Sequence, residues 1–120
     1  QIWVAGGIGI TPFLARMEEF AHREPSKIAV DLFYCARNPG EAFINNLKQL
    51  AGAAGVSLHI VLDGHDRRLD AETLCARVPE WKNASLWFCG PSGFGRALRQ
   101  GLVPRGFEAG RFHQELFEMR

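Results

Sequence analysis

Short apolar runs alternate with stretches of helical period along the whole chain, and that alternation restricts the fold more than any other feature. Ile2–Ala5, Ile28–Ala36, Val56–Leu62 and Ala84–Cys89 are apolar and rich in β-branched or aromatic residues. They read as strands, and Ile28–Ala36 has the look of one buried on both faces. Between them, Phe13, Leu14, Met17, Phe20 and Ala21 form a helical stripe over 12–22, stopped by Pro25 and Ser26. Glu41–Ala54 carries a second stripe, with Gly55 as its C′ residue. Asp70 is placed to cap a short helix over Ala71–Ala76, and Phe94–Leu102 reads as a fourth helix. Arg111–Glu115 reads as a short fifth strand, and Asp31 in the second run is expected near an end or hydrogen-bonded.

Strands separated by helices run parallel and are joined by right-handed crossovers. The expected fold class is therefore α/β: an open, doubly wound, mainly parallel five-stranded sheet with helices on both faces. Such sheets take ligands at the carboxyl ends of their strands, where the strand order reverses. That rule selects four loops: Gly6–Pro12, Ala36–Gly40, Asp63–Arg68 and Cys89–Gly93.

Composition excludes several classes of function. A chain of 120 residues with 47% apolar and 22% charged side chains is one ordinary globular domain. Its net charge of +1 gives no electrostatic case for nucleic acid or an anionic membrane. No apolar run approaches the ~20 residues of a membrane span. Cys35, Cys75 and Cys89 cannot pair completely and form no C-x-x-C. His22, His59, His65 and His113 lack ligand spacing, so no metal site is expected; His59 reads as a satisfied core histidine. The chain opens directly on a strand at Gln1 without an initiator Met. The expectation is a segment of a longer protein whose missing part lies N-terminal.

Three loops can carry chemistry. Gly6-Gly7-Ile8-Gly9-Ile10-Thr11-Pro12 follows a strand and opens a helix. Its glycines permit a tight turn and close approach of a phosphate, and the helix start offers unpaired N–H groups. Thr11 and Pro12 suit N-cap and N1, or Thr11 donates its hydroxyl to a phosphate. The loop is no P-loop, since no Gly-Lys-Ser/Thr follows, and Pro12 replaces the third glycine of G-x-G-x-x-G. A glycine turn without a ligand is the alternative. Cys89-Gly90-Pro91-Ser92-Gly93 places a thiol at the sheet's rim beside a helix start, which would lower its pKa. A nucleophile needs a base, for which the chain offers no partner, and a small buried hydrophobe is the other reading of Cys89. Arg37, closing Tyr34-Cys35-Ala36-Arg37, sits where a dinucleotide site expects an acidic residue for the ribose. It would hold a phosphate, stack on adenine or stay solvated.

Together these loops resemble the nicotinamide-binding half of the ferredoxin–NADP reductase superfamily. The motifs are G-G-x-G-x-T-P, Y-x-x-R, C-G-P and a closing F-H-x-E-x-F, spread over nearly the whole chain. The closest likeness is to the ferric reductase and NADPH oxidase-like branch. The resemblance implies a Rossmann-like domain in which Gly7, Gly9, Thr11 and Pro12 hold a pyrophosphate. It places Cys89, Gly90 and Pro91 against the nicotinamide ring, with Cys89 orienting it, and Arg37 on the adenosine side. Glu115 and Phe117 would come close to the flavin and nicotinamide rings, so that Cys89 and Glu115 are the catalytic candidates. The family's flavin-binding R-x-Y-S/T is absent here, which implies a covalently linked FAD domain upstream. Members of that branch often carry a membrane haem domain further upstream. Val61-Leu62-Asp63 matches the V-L-D of NADH-using members. Aspartate accepts a bond from a 2′-hydroxyl and repels a 2′-phosphate, although Arg67 and Arg68 follow; the balance leans to NADH over NADPH.

The expected function is presentation of NAD(P)H for hydride transfer to FAD, with electrons passing on to haem or ferric iron on the cytoplasmic face. Alone, the domain should catalyse little. The alternatives are a non-catalytic nucleotide-sensing module of the same fold and a small α/β hydrolase using Cys89.

Overall fold

A computed structural model describes residues 1–22, 29–62 and 69–114. Five strands form one sheet in the order β3-β2-β1-β4-β5, every adjacent pair parallel. The strands are β1 (Ile2–Gly6), β2 (Val30–Ala36), β3 (Val56–Leu62), β4 (Leu86–Cys89) and β5 (Phe112–His113). The helices are α1 (Thr11–His22), α2 (Glu41–Ala54), α3 (Ala71–Arg77) and α4 (Ser92–Leu102). The chain builds outward from β1 to β3, then returns to the other side of β1 for β4. The strand order therefore reverses between β1 and β4.

Alternation along each strand divides the core into two layers. Ile2, Val4, Phe33, Leu86 and Phe88 face α3 and α4, packing on Leu74, Leu98 and Leu102. Trp3, Ala5, Leu32 and Tyr34 face α1 and α2, packing on Phe13, Met17, Leu47 and Ala51. Trp3 stacks on Phe13 with ring centroids 5.3 Å apart. Each fully buried aromatic side chain of this kind contributes about 1.5–3 kcal/mol. β1 is buried along its whole length, as the central strand of a doubly covered sheet must be.

The expected α2 and β3 match the observed bounds, and Gly55 ends α2 in the left-handed region at φ 74°. Asp70 caps α3, accepting the Thr73 N–H at 2.8 Å. That bond holds the Asp70 carboxyl below its ordinary range. Asp31 accepts from His59 Nε2 at 2.9 Å, and the imidazole stacks on Phe33 at 4.3 Å. The strand thus absorbs its one charge by pairing it with a neighbouring strand's histidine.

Several boundaries differ from expectation: β1 runs on to Gly6, α1 begins at Thr11, β2 begins at Val30 and α3 runs on to Arg77, and three others have a local cause. β4 begins at Leu86 rather than Ala84, because the Ala84 N–H closes the turn Trp81–Asn83 on the Trp81 carbonyl. α4 begins at Ser92 rather than Phe94, because the Pro91 carbonyl already accepts from the Phe94 and Gly95 amides. β5 starts at Phe112 because Arg111 closes a 3-10 turn over Ala109–Arg111. The expected end of that strand, Glu115, lies outside the described residues. No helix among the described residues is long and apolar enough to cross a membrane.

Candidate functional site

The carboxyl ends of β1, β2 and β4 open onto one cleft of about 1100 Å³. Gly7, Gly9, Thr11, Pro12, Arg37, Cys89, Gly90 and Pro91, all singled out in the sequence, line it. Asp63, Glu115 and Phe117 lie outside the described residues, as do Arg67 and Arg68. Arg16, Trp87 and Phe94 also line the cleft and were not anticipated. Arg16 follows Pro12 at i+4 on one face of α1. Trp87 precedes Cys89 by two, on the same face of β4. Those spacings were the available signals.

The cleft exists because two backbone corners touch. A Cβ on Gly9 would lie 2.1 Å from the Cys89 carbonyl oxygen and 2.5 Å from its carbon. Only glycine permits that approach, so the turn after β1 rests directly on the corner after β4. Gly7 supplies the bend itself, at φ +57°, with open space around its Cα. Gly9 and Cys89 therefore share one rim of the sheet.

Thr11 is not an N-cap. Residues Gly7–Ile10 wind as a 3-10 turn that runs into α1, so Gly6 takes the extended cap position and Thr11 is already helical at φ −54°. The Thr11 hydroxyl donates to the Ile8 carbonyl at 3.1 Å. The turn's own leading amides, Gly7 to Gly9, precede the helical ladder, and the residues that carry them line the cleft.

The expectation of a lowered Cys89 pKa is also corrected: burial pushes the thiol up. Alternation along β4 is the reason. Phe88 faces α4, meeting Phe94 edge-on at 5.2 Å, while Cys89 projects to the other face beside Trp87. Cys89 alkylation by iodoacetamide should be slower at pH 7 in the folded chain than in the unfolded chain. Its rate should rise through a midpoint above that of an ordinary thiol, read by mass spectrometry of the modified peptide across pH. A midpoint below the unfolded chain's would contradict this account.

Among the described residues lining the cleft, the charged side chains are Arg16 and Arg37; none is a carboxylate or a histidine. Among the described residues the site is therefore positive and largely apolar, with no general base. It suits a long anionic ligand with aromatic ends rather than nucleophilic catalysis. Trp87 stacks on His113 of β5 at 4.1 Å, which stiffens the β4 end of the cleft.

A family model described as "Oxidoreductase NAD-binding domain" matches residues 3–100. The chain is 36% identical over 114 residues to the vanillate O-demethylase oxidoreductase of Pseudomonas sp. (strain HR199 / DSM 7063), covering 94% of this chain and 34% of that protein. It is 36% identical over 118 residues to the carnitine monooxygenase reductase subunit of Escherichia coli (strain K12), covering 98% and 35%. Its fold is shared with an Amycolatopsis cytochrome P450 reductase at a TM-score of 0.70 and 24% identity, covering 95% of this chain and 36% of that one. The chain thus spans about a third of the length of these relatives.

Proposed function

We propose, from the premise that this chain belongs to the oxidoreductase NAD-binding domain family of ferredoxin–NADP reductase-like proteins, that its cleft binds a reduced nicotinamide dinucleotide for a flavin reductase. The contact between Gly9 and the Cys89 corner carries this reading, because it joins the two loops into one cleft. The fit is chemical as well as spatial. A volume of about 1100 Å³ lies at the upper end for small-molecule sites, as a dinucleotide requires. The leading amides of the glycine turn suit its phosphates, and two arginines make the cleft positive without a described carboxylate to oppose them.

In this reading Gly7 and Gly9 shape the pyrophosphate turn, and Thr11 and Pro12 lock the start of α1 beneath it. Arg37 serves the adenosine side. Gly90 and Pro91 form the corner beneath the nicotinamide, and Cys89 orients the ring as a neutral thiol. Glu115 and Phe117 cover the nicotinamide, and Asp63 selects NADH over NADPH. The bound nicotinamide supplies a hydride to FAD held by a covalently linked domain N-terminal to residues 1–120. This chain's residues bind and aim it; none of the described residues lining the cleft is an acid or a base. The hydrolase alternative loses its ground, since burial raises the Cys89 thiol rather than favouring its thiolate and no described base lines the cleft.

The relatives named above are reductases of a demethylase and a monooxygenase. Their names favour an oxygenase or demethylase component as electron acceptor over ferric iron or a membrane haem domain. Calorimetry of NADH and NADPH binding to the chain tests the core reading. NADH should bind more tightly, and Asp63→Ser should narrow the difference. Failure of both nucleotides to bind would overturn the assignment.

A further inference from the structure

We infer that Arg16 is the cationic anchor of the ligand's pyrophosphate, set on the flank of α1 across from the glycine turn. The inference rests on the dinucleotide reading above. Both arginines line the cleft: Arg37 follows β2, on one side of β1, and Arg16 stands on α1. Arg16 also borders the small crevice between Trp3, Phe13 and Trp87, which fixes it on the β4 side. The glycine turn follows β1, the strand that lies between β2 and β4. A dinucleotide with its adenosine toward Arg37 and its nicotinamide toward Cys89 has its phosphates in that middle position.

The helix geometry brings Arg16 to them. It begins about 7.5 Å along the axis from Thr11, and helical side chains lean toward the N-terminus. Its stem therefore runs back along Pro12 and Ala15 toward the turn. A charged donor is also needed there. The hydroxyl of Thr11 is engaged on the Ile8 carbonyl, which leaves backbone amides as the turn's own donors. A guanidinium adds planar, charge-assisted bonds to phosphate oxygens. Arg16 is exposed and forms no ion pair with a described carboxylate, so no existing pair has to break on binding.

The test is calorimetry of ADP-ribose, NADH and adenosine with the chain and its Arg16→Gln and Arg16→Lys variants at two salt concentrations. Arg16→Gln should weaken ADP-ribose and NADH by the same factor, about ten-fold or more. Adenosine binding and the melting temperature should not move. Arg16→Lys should recover part of the loss, and added salt should weaken the parent chain more than Arg16→Gln. Unchanged ADP-ribose affinity in Arg16→Gln, with the parent chain binding normally, would overturn the role of Arg16 and leave the dinucleotide reading intact. A loss confined to NADH would move Arg16 away from the pyrophosphate and overturn it equally. If the parent chain binds neither NADH nor ADP-ribose, the dinucleotide reading itself falls.

Discussion

Gly9→Ala should abolish measurable NADH binding and lower the melting temperature on the order of 10 °C. The added methyl would sit 2.1 Å from the Cys89 carbonyl oxygen. That neighbour is backbone, anchored in β4 by pairing with β1, and cannot rotate away as a side chain can. Relief requires the two corners to part, which opens the cleft where the phosphates would sit. Forced overpacking of this kind costs about 1–3 kcal/mol, and here the displacement falls on the site itself. Gly7→Ala is the informative contrast. Its methyl meets open space, but φ +57° disfavours any L side chain by about 1–2 kcal/mol. It should lose some stability while keeping the corners in contact. Thermal melts and NADH titrations of both variants check the pair. Equal NADH affinity in Gly9→Ala and the parent chain would refute the contact's role.

Phe88→Ala should destabilise the chain by about 3–5 kcal/mol, a large share of the roughly 5–15 kcal/mol that a domain of this kind possesses. The ring is fully buried and packs edge-on against Phe94. It also fills the space beneath two close approaches. A Cβ on Gly90 would lie 3.2 Å from its tip, and one on Gly95 would lie 2.8 Å from its side. Removing the ring leaves a cavity under the Cys89–Gly90 corner and beside the first turn of α4. Stability and nucleotide affinity should therefore fall together, with affinity reduced even at temperatures where the variant stays folded. Phe88→Leu, which keeps most of the volume, should lose far less of both. Urea unfolding with parallel NADH titration measures the two effects. An unfolding midpoint unchanged in Phe88→Ala would show that the ring does not support this corner.

Much of the architecture was legible because its signals are local. Val56–Leu62 is apolar at five of its seven positions, broken by Ser57 and His59, and is bounded by Gly55, so its limits follow from composition. Glu41–Ala54 repeats apolar residues at helical spacing between Gly40 and Gly55, and its limits follow from periodicity. The Asp70 cap needs only a side chain and an amide three residues on. The glycine turn and the Cys-Gly-Pro corner were recognisable as candidates for the same reason.

Other features are not local. Residue types alone allow Cys89 to lie on either face of β4, and the face decides whether a helix start or a buried margin sets its pKa. Thr11 looks like a cap until the preceding glycines are seen to wind into the helix, which commits its hydroxyl to Ile8. Arg16 and Trp87 look like an ordinary helix-surface charge and an ordinary strand aromatic. They become cleft residues only because α1 lies along the β1–β4 junction.

The sequence by itself determined the succession of strands and helices, the parallel sheet and the two glycine-bearing loops, since hydrophobic period and turn chemistry act over a few residues. The tertiary structure alone decided that those loops touch, which face each strand residue takes and which arginines enter the cleft. Those outcomes depend on strand order and register, which join residues some eighty positions apart, such as Gly9 and Cys89. Such a contact is set by how whole layers pack, and no short window of sequence contains it.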